Sequence, residues 1–321
     1  MSRNRTRSRA SQFTYAITQN VKVGVSKRAE NRNPNIDNSA TLYSVGDTSR
    51  TKAIRETANQ LSKFLDEKYP HEGKMVNQIT REQVQEFVDF KAKTNNLNSM
   101  REIVGRINKL DKIVQSTFDG GGFTKGLEIP LLERADKVRD RSMSREHVEL
   151  LREEMKGSRS QGVKALEIAT RCGLRSKEIE RLHSSRIDLD NSLLWVREGA
   201  KNGKHRPVPI RAADLPYFEK LKAETAGGYV CNGVKAQSLN DSLRRYMGKI
   251  PIGEGRTLAE EYPKSTIHAI RKLYAHERMQ EERGQPEPLE EKKDEMRAWD
   301  IVSQEMGHGK NREDLYSTYV G

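Results

Sequence analysis

Residues 306–321 read MGHGKNREDLYSTYVG. They hold one histidine, His308, and two tyrosines, Tyr316 and Tyr319. A tyrosine can pack, or it can be a nucleophile once its proton is removed or its anion is favoured. The stretch before it, AWDIVSQEMG at 298–307, reads as a helix that Gly307 can end. His308 therefore follows a helix terminus.

Three further stretches extend the pattern toward the N-terminus. In STIHAIRKLYAHERM (265–279), Ser265 or Thr266 can cap a helix whose buried stripe is Ile267, Ile270 and Leu273. His268 and Arg271 are three apart and share one face, so they could touch one phosphate or form a plain surface pair. In LLWVREGAKNGKHRPVPI (193–210), two apolar runs flank Asn202-Gly203, a strong hairpin signal. Lys201 and Lys204 bracket that turn; an ammonium there can reach into a groove and yield a proton if its pKa is lowered, or it can simply be solvated. In ALEIATRCGLRSKEIERL (165–182), Gly173 can end one helix and Ser176 can cap the next. Arg175 then sits beside a helix N-terminus, where a phosphate is welcome. An isolated arginine there could equally cap carbonyls or pair with Glu178.

The formal net charge of +12 over 321 residues points to a polyanionic partner. No apolar run approaches the roughly 18 residues that span a bilayer, and no signal-peptide core is present, so no membrane role is expected and nucleic acid is favoured. The two cysteines, Cys172 and Cys231, are far apart and read as reduced thiols. With no metal-ligand cluster and no glycine-rich phosphate loop, no cofactor and no metal are expected.

Residues 1–34 carry eight Lys or Arg and one acid, a local net of +7. This start reads as a basic arm over 1–45, disordered when free, with Arg3, Arg5, Arg7 and Arg9 set to rest on DNA phosphates or merely to solubilise. VKVGVSK within it alternates like a short strand. Ile54, Ala58, Leu61 and Leu65 then recur at helical spacing, Thr80 caps a helix carrying Val84, Phe87 and Val88, and Ile103, Ile107, Leu110 and Val114 mark another. A helical module over 46–123 follows from this, closed by DGGGF at 119–123. Residues 124–141 read as a charged linker. A second domain over 142–321 opens with Ser144 as N-cap. The class expected is mainly α with a small β-hairpin or sheet (α+β).

The order Arg, Lys, His-x-x-Arg, His, Tyr within one C-terminal domain resembles the tyrosine recombinase (phage integrase) family. GLRSKEIERL resembles the family's first-arginine box, GAKNGKHRPVPI its lysine hairpin, IHAIRKLYA its His-x-x-Arg box, and VSQEMGHGKNREDLYSTYVG its terminal box. The resemblance is strong over about 142–321. It implies a SAM-like core-binding domain over the helical module and a catalytic tyrosine recombinase domain after it.

The same resemblance implies DNA strand cleavage through a 3′-phosphotyrosyl link, without metal or ATP. Arg175 and Arg271 would neutralise charge on the phosphoryl oxygens, His268 and His308 would donate hydrogen bonds or move the phenolic proton, and Lys201 would protonate the leaving 5′ oxygen. Glu178 would orient the neighbouring basic groups, and Lys204 would touch DNA. The family's nucleophile commonly lies about nine residues after the last histidine; Tyr316 lies eight on and Tyr319 eleven on. The YVG ending aligns with relatives ending in YLG, which selects Tyr319, with Tyr316 as the second choice. QEERGQPEPLEEKKDEM (280–296) reads as a surface insertion. The expected partners are double-stranded DNA attachment sites, a homo-tetramer on synapsed DNA and an accessory directionality factor, in a cytoplasmic, nucleoid-associated setting of prokaryotic or phage origin. A type IB topoisomerase-like enzyme and a catalytically silent DNA-binding protein are the alternatives.

Overall fold

The computed structural model describes residues 8–26, 39–45, 48–132, 141–199, 205–263 and 266–320. The chain divides into two compact units, Met1–Asp136 and Lys137–Gly321.

The first unit is a helical bundle. Its elements are α1 (Arg9–Gln19), β1 (Val21–Ser26), β2 (Leu42–Val45), α2 (Thr48–Lys68), α3 (Arg81–Ala92) and α4 (Leu97–Thr117). The expected stripes are the buried ones: Ile54, Ala58, Leu61 and Leu65 from α2 meet Phe87 and Val88 from α3 and Ile107, Leu110 and Val114 from α4. Thr80 and Gln83 close a reciprocal capping box at the start of α3. β1 and β2 pair in parallel, Val21 against Leu42.

The basic arm is where the sequence reading needs correction. Residues 9–19 are not part of a disordered tail: Ser8 caps α1, and Phe13, Ala16 and Ile17 lie fully inside the core. Those three sit at i, i+3 and i+4, a helical face that the surrounding arginines obscured. Arg9 does not present its charge to a partner. It is 2% exposed, and its guanidinium donates to Asp66 Oδ1 at 2.5 Å and to the Gly73 carbonyl at 2.6 Å. Arg3, Arg5 and Arg7 lie outside the described residues. The linker is also shorter at its start than expected, because Leu127, Ile129 and Leu132 pack on the first unit's core.

The second unit opens with Ser144 capping α5 (Arg145–Glu154), as expected. It continues through α6 (Gln161–Cys172), α7 (Ser176–Glu180), α8 (Leu215–Glu224), α9 (Ala236–Met247), α10 (Leu258–Glu261), α11 (Thr266–Arg283), α12 (Lys292–Glu305) and α13 (Glu313–Tyr319). Between α7 and α8 lies an antiparallel sheet in the order β3 (Ile187–Asp188), β4 (Leu193–Val196), β5 (Arg206–Pro209). Leu194 faces Val208 across β4 and β5, so the two apolar runs pair antiparallel. Its tip, with Lys201, Asn202, Gly203, Lys204 and their roles, lies outside the described residues, as does Ser265. Helix α11 is buried nearly all round over its first three turns, the burial pattern of a central helix. Gly173 ends α6 in the left-handed region at φ 57°. A Cβ there would meet the Tyr274 ring at 2.3 Å, and that ring is itself 1% exposed and cannot withdraw.

Two substitutions test these assignments. Phe13→Ala should destabilise the first unit by about 3–5 kcal/mol, read as a lowered denaturation midpoint; an unchanged midpoint would return α1 to the status of a loose arm. Gly173→Ala should cost the second unit about 3 kcal/mol, from strain at positive φ plus overpacking, in the same assay.

Candidate active site

The sequence-selected residues meet where the ends of α6 and α12 approach the first turns of α11. Arg175 is itself the N-cap of α7, the place expected for Ser176. Glu178 explains the shift, because its carboxylate reaches back to accept the Arg175 backbone N–H at 2.8 Å, so no hydroxyl is needed. The same carboxylate accepts from the Arg175 guanidinium at 2.9 Å and from both terminal nitrogens of Arg206, each at 2.9 Å. Glu178 is 1% exposed. Burial alone would raise its carboxyl, but the Arg206 hydrogen bonds and charge, with Arg271 and Arg175, hold it down at about 2. Arg175 keeps part of its guanidinium exposed and can reach an incoming anion.

Arg271 is fully buried. Its guanidinium donates to the carbonyls of Gly173 and Met306, the cap residues of α6 and α12, and lies 3.4 Å from His308 Nε2. Burial, then the charge of Arg175, lowers it to about 10, so it stays cationic at neutral pH. His308 is fixed by its backbone N–H to Ser303 O at 2.9 Å. Burial first, then Arg271 and Arg175, push its imidazole down to about 2, which leaves it neutral. Its Nδ1 is buried with no hydrogen-bond partner among the described residues.

Tyr319 closes the cluster. It is 6% exposed, its ring 4.8 Å from that of His308 and 5.6 Å from that of His268. The Arg271 guanidinium carbon is 6.0 Å from its ring centre, within cation–π range. Trp299 lines its other side at 6.3 Å. Tyr316 belongs to a different setting: its hydroxyl donates to Glu295 at 2.6 Å and accepts from Arg283 at 3.1 Å. A cleft of about 650 Å³ opens beside the cluster, lined by Arg175, Asn240, Arg244, His268 and Arg271 among others.

The structure thus gathers Arg175, Glu178, His268, Arg271, His308 and Tyr319. Two contributors escaped the sequence reading. Arg206 could have been found, since strand alternation sets it on the inward side with Val208 and Ile210, an odd place for a charge. Trp299 was visible only as an apolar helix position; that its indole would back the Tyr319 ring depends on the fold of 306–319. Most of the charged stretch 280–296 is on the surface, as expected, residues 284–294 being exposed apart from a half-buried Leu289, but its ends belong to α11 and α12 and Glu295 is 5% exposed. Among the described residues no group of three or more His, Cys, Asp or Glu could hold a metal, and no helix is long and apolar enough to cross a membrane.

Residues 138–283 match the family model for the phage integrase family. Comparison with curated protein sequences finds no match. Among solved structures, a lambda integrase tetramer bound to a Holliday junction superposes with a TM-score of 0.61 at 11% identity, over 98% of this chain and 78% of that one. A lambda integrase dimer bound to a COC′ core site gives 0.59 at 12% identity, over 91% and 92%. The Tn1549 transposon integrase in complex with circular intermediate DNA gives 0.58 at 14% identity, over 98% and 96%. At such identities the likenesses establish the fold, α+β with a small sheet. With that fold, and with the family's own model matched over most of the second unit, the chain carries a phage integrase family domain over residues 138–283.

Proposed function

We propose that this chain is a site-specific DNA recombinase that breaks and rejoins strands through Tyr319. What supports the choice of residue is the packing of the Tyr319 ring against His268 and His308 beside Arg271, while Tyr316 faces a carboxylate. A carboxylate neighbour opposes phenolate formation, and burial and Glu295 together raise the Tyr316 phenol above its usual range.

In the first step the Tyr319 oxygen attacks the phosphorus and the P–O5′ bond breaks. The phenolic proton passes to an imidazole, that of His268 or of His308 once the bound phosphodiester's negative charge offsets the arginines that hold His308 neutral. Arg175 and Arg271 carry the charge that grows on the phosphoryl oxygens; such preorganised donors act most strongly where water is excluded. Lys201 is the family's candidate to protonate the leaving oxygen, giving a 5′ hydroxyl and a 3′-phosphotyrosyl link. Attack by a second 5′ hydroxyl reverses the chemistry and frees the tyrosine, so no nucleotide energy is consumed. Double-stranded DNA is the substrate, and the DNA-bound dimer and tetramer among the similar structures support action as a tetramer on two sites.

A nicked duplex carrying the element's own site should trap a covalent protein–DNA adduct. Tyr319→Phe should abolish it, a loss of at least about a thousandfold because no other nucleophile replaces the phenol, whereas Tyr316→Phe should retain it. A band that vanishes only with Tyr316→Phe would overturn the assignment. Relaxation of plasmid without exchange between duplexes would favour a topoisomerase, and no adduct at all a binding protein.

The neutral state of His308 has its own signature. Its folded-state value of about 2 lies below the 6.5 of an unperturbed imidazole, so as pH falls the unfolded chain takes up the proton first. This group's contribution to stability is complete above about pH 6.5 and declines as the pH drops toward 2. Glu178, with a folded value of about 2 against 4.5, adds a second loss only below about 4.5. His308→Gln should therefore flatten the fall in urea stability between pH 6.5 and 4.5; a variant with the wild-type slope would mean that His308 is protonated in the folded chain.

A further inference from the structure

Two features of the second unit have no part in the chemistry above: Tyr316 and the charged segment 280–296. They meet at one point. Arg283 at the end of α11 grips both oxygens of Glu295 in the first turn of α12, Nε lying 3.0 and 2.9 Å from them. The two side chains are 4% and 6% exposed. Glu295 also accepts the Leu289 N–H at 3.0 Å, and Tyr316 completes the group by donating to Glu295 and accepting from Arg283. A buried ion pair of this kind is rigid only while all its members are satisfied, because removing one leaves an uncompensated charge.

The helix that this group holds cannot hold itself. At seven residues, α13 is far below the length at which an isolated helix is stable in water, so its position comes from tertiary anchors. At its start, the Trp299 indole N–H donates to Arg312 O at 2.9 Å and the Asn311 N–H to Asp300 Oδ1 at 2.8 Å. Tyr316 is the anchor along its length. It lies three residues before Tyr319, hence on the same face, and both rings bear on Trp299. Fixing the Tyr316 hydroxyl between Arg283 and Glu295 therefore fixes the rotation of α13 about its axis, and with it the direction of the Tyr319 ring.

We propose that Arg283, Glu295 and Tyr316 form a latch that holds α13 against its own chain, so that Tyr319 rests on His268 and His308 of the same protomer; the proposal rests on the reading of Tyr319 as the nucleophile. The three are positioning residues, and none touches the reacting atoms. Opening the latch moves the population toward states in which Tyr319 has left the cluster, and cleavage slows by the fraction lost.

Tyr316→Phe is the direct test, since it removes the hydroxyl and leaves the ring on Trp299 and the Arg283–Glu295 pair intact. Hydrogen exchange of the full-length protein should quicken across residues 313–319 and stay unchanged in α11 and across the sheet. On saturating nicked duplex, single-turnover adduct formation should slow by about fivefold, the scale of one ordinary net hydrogen bond, with the DNA dissociation constant within about twofold of wild type. Glu295→Gln, which keeps an acceptor for the phenol but removes the charge, should give the same local exchange signature. Unchanged exchange in 313–319 overturns the latch. So does a rate loss matched by weaker DNA binding or by faster exchange throughout the second unit, which marks general destabilisation. The exchange measurement needs no activity, so a wild-type chain that forms no adduct refutes the recombinase reading while the latch is still decided.

Discussion

A fully buried guanidinium, that of Arg271, is the constraint on which the second unit depends. Taking an arginine out of water costs on the order of several kcal/mol unless its donors are satisfied. Here two backbone carbonyls, Gly173 O and Met306 O, accept from its two terminal nitrogens while Nε has no hydrogen-bond partner among the described residues, and each carbonyl stands at the end of a helix where carbonyls lack intrahelical partners and the helix dipole is negative. One side chain thus joins the exits of α6 and α12 to the centre of α11. The segments that leave those exits carry Arg175 in one direction and His308 in the other. Gly173 is required at the first because only a left-handed residue without a Cβ turns its chain against the Tyr274 ring.

Because carbonyls rather than a carboxylate solvate Arg271, its charge is left to act on its neighbours. Among the described residues, Glu178 is the carboxylate bonded directly to the site's arginines, and it is shared between Arg175 and Arg206. The surplus of positive charge is visible in His308, whose imidazole is held neutral by burial and by Arg271 and Arg175. Arg206 adds a mechanical link: it reaches from β5 to Glu178 on one side and to the Glu305 carbonyl on the other. Gly307 permits this approach, since a Cβ there would come within 2.7 Å of the Arg206 guanidinium.

Much of this was legible in the linear chain. The His268 and Arg271 pair could be placed on one face from a spacing of three, the β4–β5 hairpin from Asn202-Gly203 between apolar runs, and Gly173 as a helix stop from its place before Arg175. The failures share a cause. Arg9 and Glu295 were read as solvated because they are charged and lie in charged stretches, yet each is buried by a partner distant in the chain, Asp66 in one case and Arg283 with Tyr316 in the other. The α1 face of Phe13, Ala16 and Ile17 was hidden in the same way, by composition averaged over a window in which the arginines dominate.

The sequence by itself determined the inventory: two clusters of helices with a short sheet, a basic surplus suited to a polyanion, and a set of arginine, histidine and tyrosine side chains in a specific order. Those properties are local, since periodicity, caps, turns and charge act over a few residues. Only the tertiary structure set the two tyrosines in different surroundings and found the partners of buried charges such as Arg9 and Glu295. Both turn on which side chains face one another between packed helices. Contacts of that kind depend on how helices pack and rotate together, and the spacing of residues along one strand of chain does not encode them.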